Sequence, residues 1–373
     1  MKLSVGITGQ SGFIGTHLYN TLGLYPDRYS RIPFEDATFD DPVRLAAWVS
    51  QCDVIVHLAA MNRHGDQQVI YDANIRLVNT LTGAIERSGN KPHLVYSSSI
   101  QEDNDSLYGR SKKEGRELMA GWAEKNGCRF TGLVFPNIFG PFGNPYYNSF
   151  IATFSHQLHH GETPVIEVDK MVPLLYVGEA VQIIIRAVSE KMQAPAYRIN
   201  PTSEGTVTGI LKLLQTYQSV YVENGIIPSL NTPFEINLFN TFRSYMDVAN
   251  HYPVKYLQHA DDRGAFVEIM KSNQGGQLSF STTKPVITRG NHFHTRKIER
   301  FAVIKGEAII QLRRIGTSEV MEFHLSGEEP AYVDMPIWYT HNITNTGTDN
   351  LYTLFWINEF FNPDDPDTWF EKV

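Results

Sequence analysis

The chain of 373 residues predicts two folds in succession: a doubly wound parallel α/β sheet over 1–245, then an all-β jelly-roll barrel over 246–373. Three observations predict it. The first half alternates apolar strand-like runs with amphipathic helical stretches, the pattern of a parallel sheet with crossover helices. From Asp262 onward the chain instead carries short β-rich runs separated by Gly and polar turns. The length also exceeds one ordinary domain.

In the first half, 3–8 reads as a strand and 16–24 as the first helix. The apolar runs 53–58 (DVIVHL), 93–97 (HLVYS) and 132–135 (GLVF) are further buried strands, with a long amphipathic helix over 112–125. Helical pattern continues over 179–190 and 205–219. In the second half, strand-like runs cover 265–270, 276–282, 301–304, 308–313, 320–325, 331–334 and 351–357.

Composition excludes several function classes. A hydrophobic content of 42% supports real cores, and a formal charge of −8 with no long basic run disfavours nucleic acid and anionic membrane surfaces. No stretch approaches ~20 uninterrupted apolar residues, so no membrane span is expected. The start, MKLSVGITGQSGFIG, breaks its apolar run at glycine and lacks a signal-peptide pattern. Cys52 and Cys128 are too few for a disulfide framework or a thiolate metal site. A cytoplasmic protein is expected, and a homodimer.

Thr8-Gly9-Gln10-Ser11-Gly12-Phe13-Ile14-Gly15 follows the first strand and opens the first helix. Its three glycines permit a tight turn, a close approach of a pyrophosphate and helix–strand packing, so a Rossmann-type dinucleotide site is expected there. The phosphate would rest on the amides of the helix N-terminus. Further on, Tyr108-Gly109-Arg110-Ser111-Lys112 begins a helix just after the serine run 97–99. Tyr108 and Lys112 lie one turn apart on one face. A lysine there is expected to lower the tyrosine pKa, letting the phenol exchange a proton with a carbinol or ketone while hydride moves.

Together these residues resemble the extended short-chain dehydrogenase/reductase family of nucleotide-sugar enzymes. Other stretches match its pattern: His57-Leu58-Ala59-Ala60 at the fourth strand, Asn74 in the following helix, and Pro136-Asn137-Ile138-Phe139-Gly140-Pro141. The resemblance implies Ser99, Tyr108 and Lys112 as catalytic residues, with Ser98 the alternative serine. It implies cofactor contacts from the 8–15 loop, Asp40, Leu58, Ala59, Ala60, Asn74 and Lys112. Only nine positions separate Ser99 from Tyr108, fewer than in most of these enzymes. Phe34-Glu35-Asp36, near the end of the second strand, is acidic, which favours the free ribose hydroxyls of NAD.

The second half carries His292-Phe293-His294, then Glu299 and Gly306, then Pro336, Trp338, His341 and Asn345. His292 and His294 share a strand face because side chains repeat with period two. Three imidazoles and a carboxylate form a complete ligand set for one divalent metal, zinc first, with Fe, Mn and Ni also acceptable. The residues resemble the cupin family's two motifs, with Trp338 where a glycine is common. The stretch 262–268 (DRGAFVE) resembles the sugar-epimerase branch of cupins.

Over its whole length the chain resembles the CapF family of capsular polysaccharide synthesis enzymes. Supporting stretches are Ala59-Ala60-Met61-Asn62-Arg63, Asn144-Pro145-Tyr146-Tyr147-Asn148-Ser149 and Gly290-Asn291-His292-Phe293-His294. That resemblance implies a bifunctional enzyme acting on a UDP-activated 4-keto amino sugar. The cupin would epimerise C3, and the dehydrogenase would reduce the C4 ketone with NADPH, NADH being the other candidate. Lys297, Tyr339 and Glu268 are candidate bases, and Arg63, Tyr147 and Asn148 candidate nucleotide-sugar contacts. Two other readings compete: a redox-neutral NAD-dependent epimerase or dehydratase, and a cupin that serves only as a dimerisation module.

Overall fold

The computed structural model describes residues 2–262 and 264–373; of the DRGAFVE stretch, Arg263 lies outside the described residues. The chain forms two compact units, Met1–Thr153 with Ile166–Ile210, and Phe154–Val165 with Leu211–Val373. In chain order the α/β half runs β1 (Leu3–Thr8), α1 (Phe13–Gly23), β2 (Tyr29–Ile32), α2 (Pro42–Val49), β3 (Val54–His57), α3 (Gln67–Ser88), β4 (His93–Ser99), α4 (Leu107–Asn126) and β5 (Phe130–Phe135). It continues with β6 (Asn137–Phe139), α5 (Phe150–His159), β7 (Met171–Tyr176), α6 (Val177–Ser189), β8 (Ala194–Arg198), β9 (Ser203–Thr206) and α7 (Val207–Tyr217).

Six strands form a sheet in the order β2-β1-β3-β4-β5-β8, and every pairing in it is parallel. Strand order reverses at β1, with β2 on one side and β3 on the other. A crevice therefore opens beyond the carboxyl ends of β1 and β3, where Thr8 and His57 stand in register. Alternation along each strand feeds two apolar layers. Val54 and Val56 join Leu18, Leu22, Val181 and Ile184, while Ile55 joins Leu45, Trp48, Leu81 and Met119. Each such side chain contributes about 1.5–3 kcal/mol on burial.

Two expectations change here. His57 ends the third strand rather than a fourth, because only a 3₁₀ turn (Asp36–Asp40) and α2 lie between β2 and β3. The 205–219 helix begins at Val207, since Gly205 is drawn into β9, antiparallel to β7 and opposite Val172.

The second half supplies α8 (Pro233–Arg243), α9 (Val248–His251), β10 (Val254–Lys255), β11 (Gln258–Asp261), β12 (Gly264–Val267), β13 (Gln277–Thr283), β14 (Thr288–Phe293), β15 (Glu299–Lys305) and β16 (Glu307–Arg314). β17 (Val320–Ser326), β18 (Ala331–Met335), β19 (Tyr339–Asn345), β20 (Leu351–Ile357) and β21 (Trp369–Phe370) complete it. Two five-stranded antiparallel sheets result, β10-β18-β15-β20-β13 and β17-β16-β19-β14-β21, the double sheet of a cupin-type jelly roll. β16 shows the reason, burying Ala308, Ile310 and Leu312 at alternate positions. β19 was not among the expected runs, and β14 was expected only as the strand carrying His292. Their sequences, TRGNHF and YTHNITN, place polar residues where an apolar alternation would have marked them.

Candidate functional site

The glycine loop is shaped by contacts that leave no room for a side chain. Gly9 takes φ 70°, and a Cβ there would meet the Ala59 backbone at 2.8 Å. A Cβ on Gly15 would meet the Gly9 carbonyl oxygen at 2.2 Å. The loop thus presses against both its own helix and the end of β3, bringing Leu58 and Ala59 beside it. α1 starts at Phe13, and Gly12 before it offers no side-chain cap, so the first helical amides remain available to an anion. Gln10 Oε1 accepts from the Phe34 amide at 3.1 Å, and Ser11 Oγ donates to Asp36 at 3.2 Å. These bonds bring the acidic 34–36 segment against the loop. Asp40 is exposed at the end of the adjoining 3₁₀ turn.

Asn74 has another occupation. Its amide accepts from Met61 N at 2.7 Å and donates to Met61 O and to Ser111 Oγ. It ties the segment after β3, which includes Ala60, to helix α4.

The serine run divides by strand alternation. Ser98 is buried and donates to Glu102 Oε2 at 2.6 Å. That carboxylate is also gripped by Arg116 at 3.0 and 3.1 Å. Ser99 lies on the other face of β4, half-buried, and its Oγ accepts from Gln101 N at 3.2 Å. The short link from Ser99 to Tyr108 is a 3₁₀ turn (Ile100–Asp103) followed by the Ser106 cap of α4. Gly109 permits this closeness, since a Cβ there would meet the Gln101 carbonyl oxygen at 2.0 Å.

Lys112 is buried, with its ammonium 4.7 Å from the centre of the Tyr96 ring. Burial pushes it down to about 8, with Glu102 pulling the other way. The expected depression of Tyr108 is not found: burial first, and Tyr147 second, push the phenol up to about 12. Tyr108 therefore stands as a protonated acid at neutral pH, one turn from Lys112 on the same helix. His57 is pushed down to about 3 by burial first and Lys112 second, and its Nδ1 pairs with Thr8 Oγ1 at 2.7 Å. Arg63 Nη1 donates to the carbonyls of Tyr146 and, at 3.1 Å, Tyr147. Asn148, next in the chain, is exposed.

In the barrel, one sheet supplies Glu299, the first residue of β15. The other supplies His292 and His294 around the end of β14, and His341 from β19. Among the described residues these four offer donor atoms all within 4.8 Å of one another. His294 Nε2 and His341 Nε2 lie 2.9 and 3.2 Å from the same Glu299 oxygen. Buried His341 Nε2 has no hydrogen-bond partner. A dication about 2.1 Å from each donor spaces the donors by roughly 3–4 Å, so the cluster fits a metal.

Burial, then His341 and His294, push His292 down to about 4. Burial opposes charge on Glu299, yet His294 and His341 hold its carboxyl well below the usual range. Neutral imidazole and ionised carboxylate are the forms that bind metals.

Trp338 takes φ 62°, a conformation glycine adopts freely. Its amide donates to the His294 carbonyl at 2.8 Å and its indole stacks on Phe293 at 5.5 Å. Asn345 serves a turn, donating to Thr283 O and Asp349 O at 2.8 Å. Of the candidate bases, Glu268 is salt-bridged to Lys271 at 2.8 Å, and Lys297 Nζ donates to the Pro366 carbonyl. Tyr339 lies two positions before His341 on β19, on the same strand face.

Sequence reasoning missed Arg116 and Asp367. Arg116 sits one turn beyond Lys112 on the helix and is invisible without its partner Glu102. Asp367 lies 73 positions from His294, whose ring it contacts.

Residues 5–200 match the NAD dependent epimerase/dehydratase family, and residues 259–369 match the polysaccharide biosynthesis C-terminal domain. A Pseudomonas aeruginosa protein, UDP-2-acetamido-2,6-beta-L-arabino-hexul-4-ose reductase, is 31% identical over 376 residues, covering 98% of each chain. The crystal structure of capsular polysaccharide assembling protein CapF from Staphylococcus aureus is similar over 100% of both chains, at 32% identity and a TM-score of 0.63. A CapF structure with the inhibitor 3-isopropenyl-tropolone, 29% identical over 100% of both chains, has a TM-score of 0.57. With two domain matches in this order and a full-length relative above 30% identity, the chain belongs to the CapF family, an NAD dependent epimerase/dehydratase domain followed by a polysaccharide biosynthesis C-terminal domain.

Proposed function

We propose that the chain is a bifunctional nucleotide-sugar enzyme of polysaccharide biosynthesis. Its cupin epimerises C3 of a UDP-4-keto-6-deoxy-N-acetylhexosamine, and its dehydrogenase half reduces the C4 ketone with NADPH or NADH. The product would be UDP-2-acetamido-2,6-dideoxy-L-talose. The observation that carries this reading is the coexistence, in one chain, of Tyr108 and Lys112 one turn apart on α4, a glycine loop between β1 and α1, and a complete His3Glu cluster. The full-length likeness to a reductase of a UDP-linked 4-ulose supports it.

At the first site, the 8–15 loop would receive the pyrophosphate, and Leu58 and Ala59 would line the crevice. The acidic 34–36 segment, held against that loop, favours the free ribose hydroxyls of NADH, whereas the family resemblance favours NADPH. The nicotinamide, when bound, supplies the hydride. Tyr108 delivers its proton to the C4 oxygen, Ser99 hydrogen-bonds that oxygen, and Lys112 keeps positive charge beside the phenol. Ser98 is held by Glu102, which leaves Ser99 for this role.

At the second site, His292, His294, Glu299 and His341 would hold one dication, with zinc the first choice. Such an ion supplies Lewis-acid stabilisation of negative charge on the sugar oxygens. Tyr339, on the strand face of His341, is the leading candidate for proton transfer at C3. The order of steps follows from chemistry. A C3 proton is acidic only while C4 is a ketone, so reduction ends the acidity and traps the new stereocentre.

The functional domains divide near residue 245, within the 201–258 interval left between the two family matches. A cytoplasmic homodimer is part of this proposal. NMR of the 4-keto substrate with the enzyme in deuterated buffer, with and without NADPH, tests the proposal. Deuterium at C3 without cofactor, and an L-talo product with it, are expected. Turnover with no net cofactor oxidation would instead establish the redox-neutral epimerase or dehydratase.

A further inference from the structure

We propose that Asp367 is the positioning residue of the metal centre, holding the turn between ligands His294 and Glu299 and orienting the His294 ring. This inference rests on the metal reading given above and goes beyond the four ligands themselves.

Four residues separate His294 from Glu299, and the turn 295–298 must bring the two together. Backbone amides in such a turn need acceptors. Asp367 supplies them from 70 to 72 positions away. Its Oδ1 accepts from Thr295 N at 3.0 Å and Thr295 Oγ1 at 2.7 Å. Its Oδ2 accepts from Arg296 N at 2.9 Å and Lys297 N at 3.1 Å. One buried carboxylate therefore organises three consecutive amides.

The same residue also touches the ligand ring. The Asp367 carbonyl oxygen pairs with His294 Nδ1, leaving Nε2 to face Glu299 Oε2 at 2.9 Å. A metal-bound imidazole is held in tautomer and orientation by such a partner on its other nitrogen. The backbone of Asp367 takes φ 40°, a left-handed conformation that Asp tolerates better than most residues.

The surrounding chain fixes Asp367 in turn. β21, just after it, pairs with β14, setting Phe370 opposite His292 and Trp369 opposite Phe293. Lys297 Nζ donates to the Pro366 carbonyl, and Arg296 Nη1 donates to Asp365 Oδ1 at 3.1 Å. Glu371 N donates to Asn291 O at 3.0 Å, next to ligand His292. Residues 365–371 thus form a brace on the strand and turn that carry three of the four ligands.

The test compares the full chain with Asp367→Ala and Asp367→Asn, each stripped of metal and titrated with Co2+ against a chromophoric chelator. Asp367→Ala should weaken Co2+ binding by about 10–100-fold and shift the visible d–d bands. Amide exchange at Thr295, Arg296 and Lys297 should accelerate in the metal-free protein. Asp367→Asn keeps one acceptor oxygen but turns an N–H2 toward the amides, so it should lie between wild type and Ala. Wild-type affinity, spectrum and amide exchange in Asp367→Ala would overturn the proposal; should Ala not be isolable, the same result in Asp367→Asn would do so. A wild-type chain that binds neither Co2+ nor Zn2+ would sink the metal reading itself, before any variant is made, and this inference with it.

Discussion

The Lys112 ammonium lies 4.7 Å from the centre of the Tyr96 ring, so a residue of helix α4 is seated on the strand that ends in the serine run. Burial in that seat lowers the lysine to about 8. Ketone reduction should therefore lose rate as pH rises through about 8, while Tyr108, raised to about 12, stays protonated. The profile of kcat/KM between pH 6.5 and 10 checks this, because it reports ionisations of the free enzyme. A flat profile across that range would remove Lys112 charge from the mechanism.

Stability should run the other way. The folded lysine lies below its reference value of 10.5, so between about 8 and 10.5 the unfolded chain binds more protons. The cost of burying the cation is fully present below 8 and is relieved as pH rises through that window. Lys112→Met should flatten this rise in urea denaturation of the whole chain.

Tyr108→Phe should lower ketone reduction by about 100- to 10,000-fold, the range for loss of a positioned acid. Deuterium incorporation at C3, which depends on the barrel, should persist. Loss of both reactions in this variant would contradict two separate chemistries.

Ser98 and Ser99 should separate cleanly. Ser98→Ala removes a bond to the buried Glu102 carboxylate and should cost about 1.5–3 kcal/mol of stability with little change in turnover. Ser99→Ala should reduce turnover and cost less stability, since its Oγ only caps a short turn through Gln101 N. Paired urea and steady-state measurements distinguish them, and a reversed pattern would move the catalytic role to Ser98.

Glu299→Gln should abolish metal retention and C3 exchange together. Glu299 sits within 3.2 Å of both His294 and His341, and a neutral amide balances neither a dication nor the histidines. Metal content by mass spectrometry, beside exchange by NMR, is the measurement. Full exchange in a metal-free variant would exclude a metal role in epimerisation.

The glycine loop, the Tyr108/Lys112 spacing and the His292, His294, Glu299, His341 set were legible because each is a short sequence pattern. Strand β3 and the β16–β17 pair were legible through apolar runs and alternation. β19 was not, and β14 only where His292 was set on a strand, since the polar residues that make them useful erase the alternation that would reveal them. The strained Trp338 was visible only as a departure from glycine.

The sequence by itself determined which atoms are available for chemistry: phenol, lysine, serines, three imidazoles and a carboxylate. Only the tertiary structure decided how they are used. It withdrew Ser98 into the Glu102–Arg116 pair, assigned Asn74 to a loop, and raised rather than lowered Tyr108. It also brought Asp367 to His294. The physical reason is the same in each case. Burial and long-range hydrogen bonds depend on residues far apart in the chain, and local spacing carries no record of them.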